Sequence, residues 1–379
     1  FVKQHWTLDA AVTFLNHGWF GATPRVVLDK QAALRAQLER EPVRFFVREL
    51  EPLLDEARRT LASFLGADED GLAFVPNATA GVNAVLRSLD LDKFDELLVT
   101  NHEYNASRNA LDYVAGLAGA KVVTVEVPFP IDSPDAVIER VLEKVTDRTR
   151  LFLIDHVTSQ TALILPVEQL VKELASRGSD TLVDGAHAAG FLPLDLRAIG
   201  AAYYTGNLHK WVCAPKGAAF LYVRENRRRG IRPVSISHGA NATRTDRSRF
   251  HLEFDWTGTF DPTPWLSVPA ALEFMEDHGG WPEVMRRNRA LALLARDILC
   301  DALGIAPPAP DAMLGSMAAI PLPDGDGEAL QDRLFFEHAI EVPLMPWPHP
   351  PKRLLRISAQ LYNEPGDYEK LAATLRTLL

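Results

Sequence analysis

Lys210 and Asp184 are the two side chains whose company and spacing point most directly to chemistry. Lys210 sits in T-G-N-L-H-K-W (Thr205 to Trp211), just after an apolar run ending at Tyr204, and P-K-G-A-A-F-L-Y-V follows it. Asp184 and His187 lie in V-D-G-A-H-A-A-G at the end of another apolar run, and Asp184 precedes Lys210 by 26 residues. That spacing suits two strands of one sheet joined by a short excursion. A Lys beside a His, with a buried carboxylate at a neighbouring strand end, suits pyridoxal phosphate chemistry. The amine forms a Schiff base, and the acid keeps the pyridine nitrogen protonated so that the ring acts as an electron sink. Alone, either residue reads as a surface Lys or a loop Asp; the pair in this order carries the argument.

Other polar residues also follow apolar runs. N-A-T-A-G-V-N (Asn77 to Asn83) joins a strand to a helix, so the Ala78 and Thr79 N–H groups and the Thr79 hydroxyl are placed to receive a phosphate at a helix N-terminus. Tyr104, in N-H-E-Y-N-A, can lay its ring on a flat cofactor, and Ser159, in Thr158-Ser159-Gln160, can reach a phenolic oxygen. Open α/β sheets bind ligands at the carboxyl ends of their strands, and all of these positions fall there.

The elements that position them alternate. Helices are expected over Pro24 to about Arg40 and Leu50 to Leu65, the second with Leu53, Leu54, Ala57, Leu61 and Leu65 on one stripe and a stop at Gly66. Strands at Leu72–Val75, Glu96–Thr100, Lys121–Val127, Arg150–His156, Thr181–Asp184, Ala201–Thr205 and Ala218–Val223 are interleaved with helices, one capped by Ser133-Pro134 and one opening at Pro166. This order predicts an α/β fold, a mostly parallel sheet with helices on both faces. After Pro264 the rhythm changes to long helices near 266–278 and 281–303, strands at Met317–Pro321 and Leu354–Ser358, and a helix after Pro365. Pro343–Pro351 reads as irregular because proline removes backbone donors. The expected organisation is an irregular N-terminal arm (1–22), a large cofactor-binding domain (23–264) and a smaller α+β domain (265–379), without repeats.

The chain has 379 residues, 47% of them hydrophobic, enough for a large core. A formal net charge of −10 argues against nucleic-acid binding, which wants basic patches. Arg227-Arg228-Arg229 reads as the cap of a surface turn. Cys213 and Cys300 supply no disulfide framework and no metal-ligand spacing, which points to a cytoplasmic protein without a metal. No apolar run approaches the roughly 18 residues of a membrane span. The chain opens at Phe1 without Met, which reads as a trimmed start, and no signal-peptide pattern is present.

With these residues in place, the chain resembles the class V aminotransferase family of pyridoxal phosphate enzymes, and within it the isopenicillin N epimerase-like branch. L-N-H-G-W-F-G (Leu15 to Gly21), P-V-R-F-F (Pro42 to Phe46), N-A-T-A-G-V-N, H-E-Y, D-G-A-H, H-K-W, W-T-G-T (Trp256 to Thr259) and R-I-S-A-Q-L-Y-N (Arg356 to Asn363) carry the resemblance along nearly the whole chain. It implies the fold type I architecture and pyridoxal 5′-phosphate as cofactor. Lys210 would be the Schiff-base lysine and the proton carrier at the substrate Cα, with Asp184 on the ring nitrogen and His187 at the phenolic oxygen. Tyr104 would stack on the ring, where many relatives have His. Ala78, Thr79 and His209 would bind the phosphate; Asn207 stands where relatives often have Ser. Thr259 would reach the phosphate of a neighbouring subunit, which implies a homodimer with shared active sites. Arg356 would clamp the substrate carboxylate, because a planar guanidinium matches it bidentately. Asn16 and His17 would line the entrance.

Such a site serves several reactions at Cα. A desulfurase passing sulfur to the protein needs a nucleophilic Cys on a mobile loop, whereas Cys300 falls within an amphipathic helix and Cys213 follows Lys210 too closely. Epimerisation, C–S or β-elimination, and transamination of an amino acid therefore stay open. A non-catalytic binding protein on the same fold would be expected to lose Lys210 or Arg356, and both are present.

Overall fold

The computed structural model describes residues 2–379. Leu72–Val75 (β1), Glu96–Thr100 (β2), Lys121–Val125 (β3), Thr149–Asp155 (β4), Asp180–Asp184 (β5), Tyr203–Asn207 (β6) and Ala219–Val223 (β7) form a seven-stranded sheet in the order β1-β7-β6-β5-β4-β2-β3. Neighbours from β3 to β6 pair in parallel, and β7 runs antiparallel to both β6 and β1. Leu97 and Val99 of β2 face one core cluster and Leu98 the other, as the two-residue period of a strand requires. The helices that cover these faces explain why the inner strands read as unbroken apolar runs.

Arg25–Arg40 (α1) and Leu50–Leu65 (α2) precede the sheet, and Ala78–Leu86 (α3), Asn105–Ala118 (α4), Pro134–Leu142 (α5) and Val167–Ser176 (α6) alternate with its strands. α2 buries Leu54, Ala57, Leu61 and Leu65 and stops at left-handed Gly66. α5 begins where the Ser133 side chain accepts the Asp135 N–H. Val82 and Val85 of α3 pack with Leu111 and Val114 of α4 on one face of the sheet, while Leu54 and Leu61 of α2 and Leu170 and Leu174 of α6 belong to the core on the other.

Beyond the sheet come Val268–Glu276 (α7), Trp281–Leu303 (α8), Gly327–His338 (α9) and Pro365–Leu378 (α10). They accompany an antiparallel sheet of Met317–Leu322 (β8), Leu344–Pro346 (β9) and Arg353–Ser358 (β10), in the order β9-β10-β8. Three sequence expectations need correcting. Part of the Pro-rich stretch is regular: β9 pairs with β10, and as an edge strand it tolerates Pro346 without losing a ladder bond. α9 was not foreseen, because only Leu330 and Leu334 are buried on it and Phe336 is exposed, so it shows no apolar stripe. The N-terminal arm is also partly regular, with Thr13–Phe14 pairing in parallel with Ile340–Glu341 and His17–Phe20 forming a helical turn. Among the described residues no helix is long and apolar enough to cross a membrane.

Candidate active site

The carboxyl edge of the large sheet gathers the reactive groups. Asp155, at the end of β4, and Asp184, at the end of β5, are register partners, and Thr205 of β6 stands opposite Asp184. Asp184 is buried and accepts the Ser107 hydroxyl at 2.8 Å and the Ala186 N–H at 3.0 Å. Burial raises its pKa, opposed by those two donors and by Lys210. Carboxylates given donors in this way are held toward the ionised form.

Lys210 Nζ lies 3.1 Å from His187 Nε2, and His187 Nδ1 faces the Trp211 indole N–H at 3.3 Å. Because an indole N–H only donates, Nδ1 accepts, and the neutral ring carries its proton on Nε2. That N–H then donates to Nζ, which requires a neutral amine. The electrostatics agree: burial, then the Arg356 charge, bring Lys210 down to about 7, while Asp184 and Asp155 pull the other way. Burial, with Lys210 and Arg356, keeps His187 well below its ordinary value.

The phosphate end departs from expectation in one respect. The Ala78 N–H, expected to face a phosphate, is taken by Asn207 Oδ1 at 2.8 Å, and the Ala80 N–H by Asn77 Oδ1 at 2.8 Å. Asn207 therefore caps α3 from the end of β6, a role invisible when only local sequence is read. Thr79 remains at the helix start with its side chain partly exposed. His209 Nδ1 is 2.8 Å from the Ala218 carbonyl, so it donates there and turns Nε2 outward; burial lowers this ring to about 4. An anionic phosphate at Nε2 would favour the second proton. Thr259 is exposed on the loop that follows Trp256.

Arg356, on β10, is fully buried. Its Nη1 donates to the carbonyl of Ser159 and lies 3.3 Å from that residue's hydroxyl, while Nε and Nη2 find no partner among the described residues. Ser159 thus serves Arg356, where a phenolic oxygen had been expected. Burial lowers the guanidinium to about 10, and Tyr104 is near enough to oppose that shift. Tyr104 itself is 42% exposed at the start of α4.

The arm closes over both groups. His17 does not line an entrance: it is buried, with Nε2 3.0 Å from the Lys210 carbonyl and Nδ1 2.7 Å from the Tyr362 hydroxyl. Burial lowers it to about 3, so it is a neutral brace on the Lys210 backbone. Gly21 packs so close that a Cβ there would lie 2.5 Å from the His209 carbonyl, at a φ of +64°. At Gly18 a Cβ would meet Met317 Sδ at 2.6 Å and Arg356 Nη2 at 3.4 Å. Asn16 donates to Glu341 at 2.9 Å and leaves Oδ1 buried without a partner among the described residues.

Sequence reasoning missed Glu103 and Asp155. Their carboxylates and that of Asp184 lie within 4.8 Å of one another. An acid ending an otherwise apolar strand, as in L-F-L-I-D, was the available signal. Cys213 and Cys300 are both buried, and burial pushes the Cys213 thiol up to about 12 and the Cys300 thiol up to about 11, far from the thiolate a nucleophile needs.

The family model for aminotransferase class-V matches residues 23–343. The chain belongs to the class V aminotransferase family. An isopenicillin N epimerase of Amycolatopsis lactamdurans is 38% identical, over 99% of this chain and 97% of its own length. A probable chloroplastic L-cysteine desulfhydrase of Arabidopsis thaliana is 31% identical, over 96% of this chain and 82% of its own. Among solved structures, a mutant of the cystine C-S lyase C-DES with glycine covalently linked to its pyridoxal phosphate superposes with a TM-score of 0.83 at 22% identity, covering 99% of this chain and 98% of that one, a likeness of fold. This member of the class V family is a pyridoxal phosphate-dependent enzyme. The residues present fit the cofactor: an amine held neutral, an acid supplied with donors, and a buried guanidinium with two donors unspent.

Proposed function

We propose that this enzyme moves a proton at the Cα of an α-amino acid and epimerises it. The observation that carries the reading is Arg356, buried and without an acidic partner among the described residues, beside a Lys whose amine is brought down to about 7. When bound, pyridoxal phosphate supplies an electron sink for the Cα–H bond. Arg356 Nε and Nη2 hold the substrate carboxylate, which turns the Cα proton toward Nζ of Lys210. Lys210 takes that proton from one face of Cα, and inversion follows when a proton is returned to the opposite face; a base near the working pH suits such transfers. His187 donates to Nζ when that amine is free. Asp184 holds a proton at the ring nitrogen. Thr79 and His209 bind the phosphate, and Tyr104 covers the ring.

Thr259 serves the phosphate of a second copy, so the working unit is a homodimer. Exposed apolar side chains around its loop support this: Val47 lines a hollow with Phe46 and Trp256, and Val234 another with Thr257 and Phe260.

The likeness to an isopenicillin N epimerase over nearly the whole chain favours epimerisation. The likeness to a probable L-cysteine desulfhydrase supports a second reading, β-elimination of a sulfur substituent from the same position. A panel of L-amino acids in heavy water separates them. Epimerisation gives Cα-deuterated product of inverted configuration with no ammonia released. Deuterium-labelled keto acid with ammonia and sulfide would establish the lyase and reject the epimerase; neither product would reject both.

A further inference from the structure

Three acids meet under the ring-nitrogen site, and the protein treats them unequally. Asp184 is given the Ser107 hydroxyl and the Ala186 N–H. Neither Glu103 oxygen, nor Asp155 Oδ2, has a hydrogen-bond partner of good geometry among the described residues, though all are buried. Glu103 leaves the end of β2, while Asp155 and Asp184, as register partners, project to the same side of the sheet. With carboxylate oxygens within 4.8 Å, three full charges cannot persist in a buried pocket whose one nearby amine is Lys210. The other titratable group facing the cluster is Tyr204, which is neutral and bonded to His156 at 2.8 Å. Burial, with the charges of Asp155 and Asp184, raises Glu103 well above the ordinary carboxyl range, and burial with the Asp184 charge raises Asp155, opposed by Glu103, the Tyr104 N–H and Lys210. A carboxylate without donors is costly, whereas a carboxylic acid donating to its neighbour satisfies one oxygen on each.

We propose that Glu103 and Asp155 share a single proton and stand behind Asp184 as a singly charged pair, which leaves Asp184, the acid that is given donors, as the one that ionises beneath the ring nitrogen of bound pyridoxal phosphate. The inference rests on the reading of Asp184 as the ring-nitrogen partner. The proton stays between the two carboxyls throughout, so the pair positions charge and does not itself touch substrate. Its negative charge strengthens the hold of Asp184 on the ring-nitrogen proton, because like charge nearby makes that proton harder to release.

Infrared spectroscopy of the holoenzyme at neutral pH tests the shared proton. Wild type shows a protonated-carboxyl band that shifts in heavy water, and the Glu103→Gln/Asp155→Asn double variant lacks it. Absence of the band from wild type, or its persistence unchanged in the double variant, overturns the proposal. Should the double variant not fold, the isosteric Glu103→Gln alone must move the band, since the remaining acid changes partner; an unmoved band overturns it equally. Stoichiometric divalent metal in purified holoenzyme, lost in Glu103→Gln, would also overturn it, because the acids would then be metal ligands. Nitrogen-15 resonances of labelled cofactor read the consequence. The ring nitrogen loses its proton at lower pH in the double variant than in wild type, and identical titrations reject the influence on Asp184. Failure of the Asp184 assignment itself is distinguishable: Asp184→Asn would then leave the ring-nitrogen resonance in place, while the infrared difference would be unaffected.

Discussion

Two buried arginines of this chain have opposite surroundings. Arg58, on α2, donates to Asp55 at 2.8 Å and to Asp255 at 2.5 Å, and Arg247 joins the same acids. Arg356, on β10, has only the carbonyl and hydroxyl of one serine, and two of its nitrogens donate to nothing among the described residues. Both charges have left water. In the first, the protein supplies the countercharge, so the interaction is spent on folding. In the second, on the proposed function, the countercharge arrives with the substrate, so the desolvation cost is carried by the fold and recovered on binding. On that reading the difference separates a structural arginine from a substrate-binding one more sharply than burial does.

The largest effect should come from breaking the satisfied site. Arg58→Ala leaves Asp255 buried beside a lost partner and is expected to cost about 3–5 kcal/mol of stability. Activity per folded molecule should be unchanged, as denaturant titration paired with active-site counting would check. A stable Arg58→Ala protein would break the comparison.

Arg356→Ala should do the reverse. Amino-acid binding weakens by roughly 2–5 kcal/mol, the range for removing one side of a buried charge pair. Stability is expected to hold or rise, because an uncompensated charge has been removed. Titration of the cofactor's visible band with amino acids measures the first, and thermal melting the second. Arg356→Lys sharpens the point: a point charge lacks the bidentate fork, so only part of the affinity returns.

A smaller effect concerns pH. Lys210 acts as a base only when neutral, so Cα–deuterium exchange should fall as pH drops through about 7. After burial, the Arg356 charge is the next cause of that low value, so Arg356→Gln raises the Lys210 pKa and moves the limb to higher pH. Arg58→Gln should leave the limb where it is. Equal shifts in both variants would mean that Arg356 acts on Lys210 only through general destabilisation.

What was legible in the sequence follows the same division between local and distant causes. The strands of the large sheet could be read because all but the edge strand β3 are largely buried on both faces and end in punctuation, and Lys210, Asp184 and His187 because they sit at or just after the ends of such strands. Arg356 was legible through its strand and the resemblance around it. The orientation of His17 was not, because its contacts are the Lys210 carbonyl and the Tyr362 hydroxyl, more than 190 and 340 residues away. Asn207 illustrates the same limit: its bond to the Ala78 N–H joins the end of β6 to the start of α3, 129 residues apart in the chain. Glu103 and Asp155 look like ordinary loop and strand-end acids until the pairing of β4 with β2 on one side and β5 on the other gathers them beside Asp184.

The grip of His17 on the Lys210 carbonyl has a consequence for how the enzyme comes into being. The arm is made before its partners, which are the Lys210 segment and the strand and turn from Arg356 to Tyr362. Contacts so far apart in sequence form late in folding. A growing polypeptide can therefore carry a complete sheet and still lack both the braced lysine and the waiting guanidinium. On the proposed roles of these residues, competence for catalysis arrives only when the arm, Lys210 and the segment from Arg356 to Tyr362 have met, which makes the active site a proofreader of its own synthesis: chains released before that segment have nowhere to hold an amino acid.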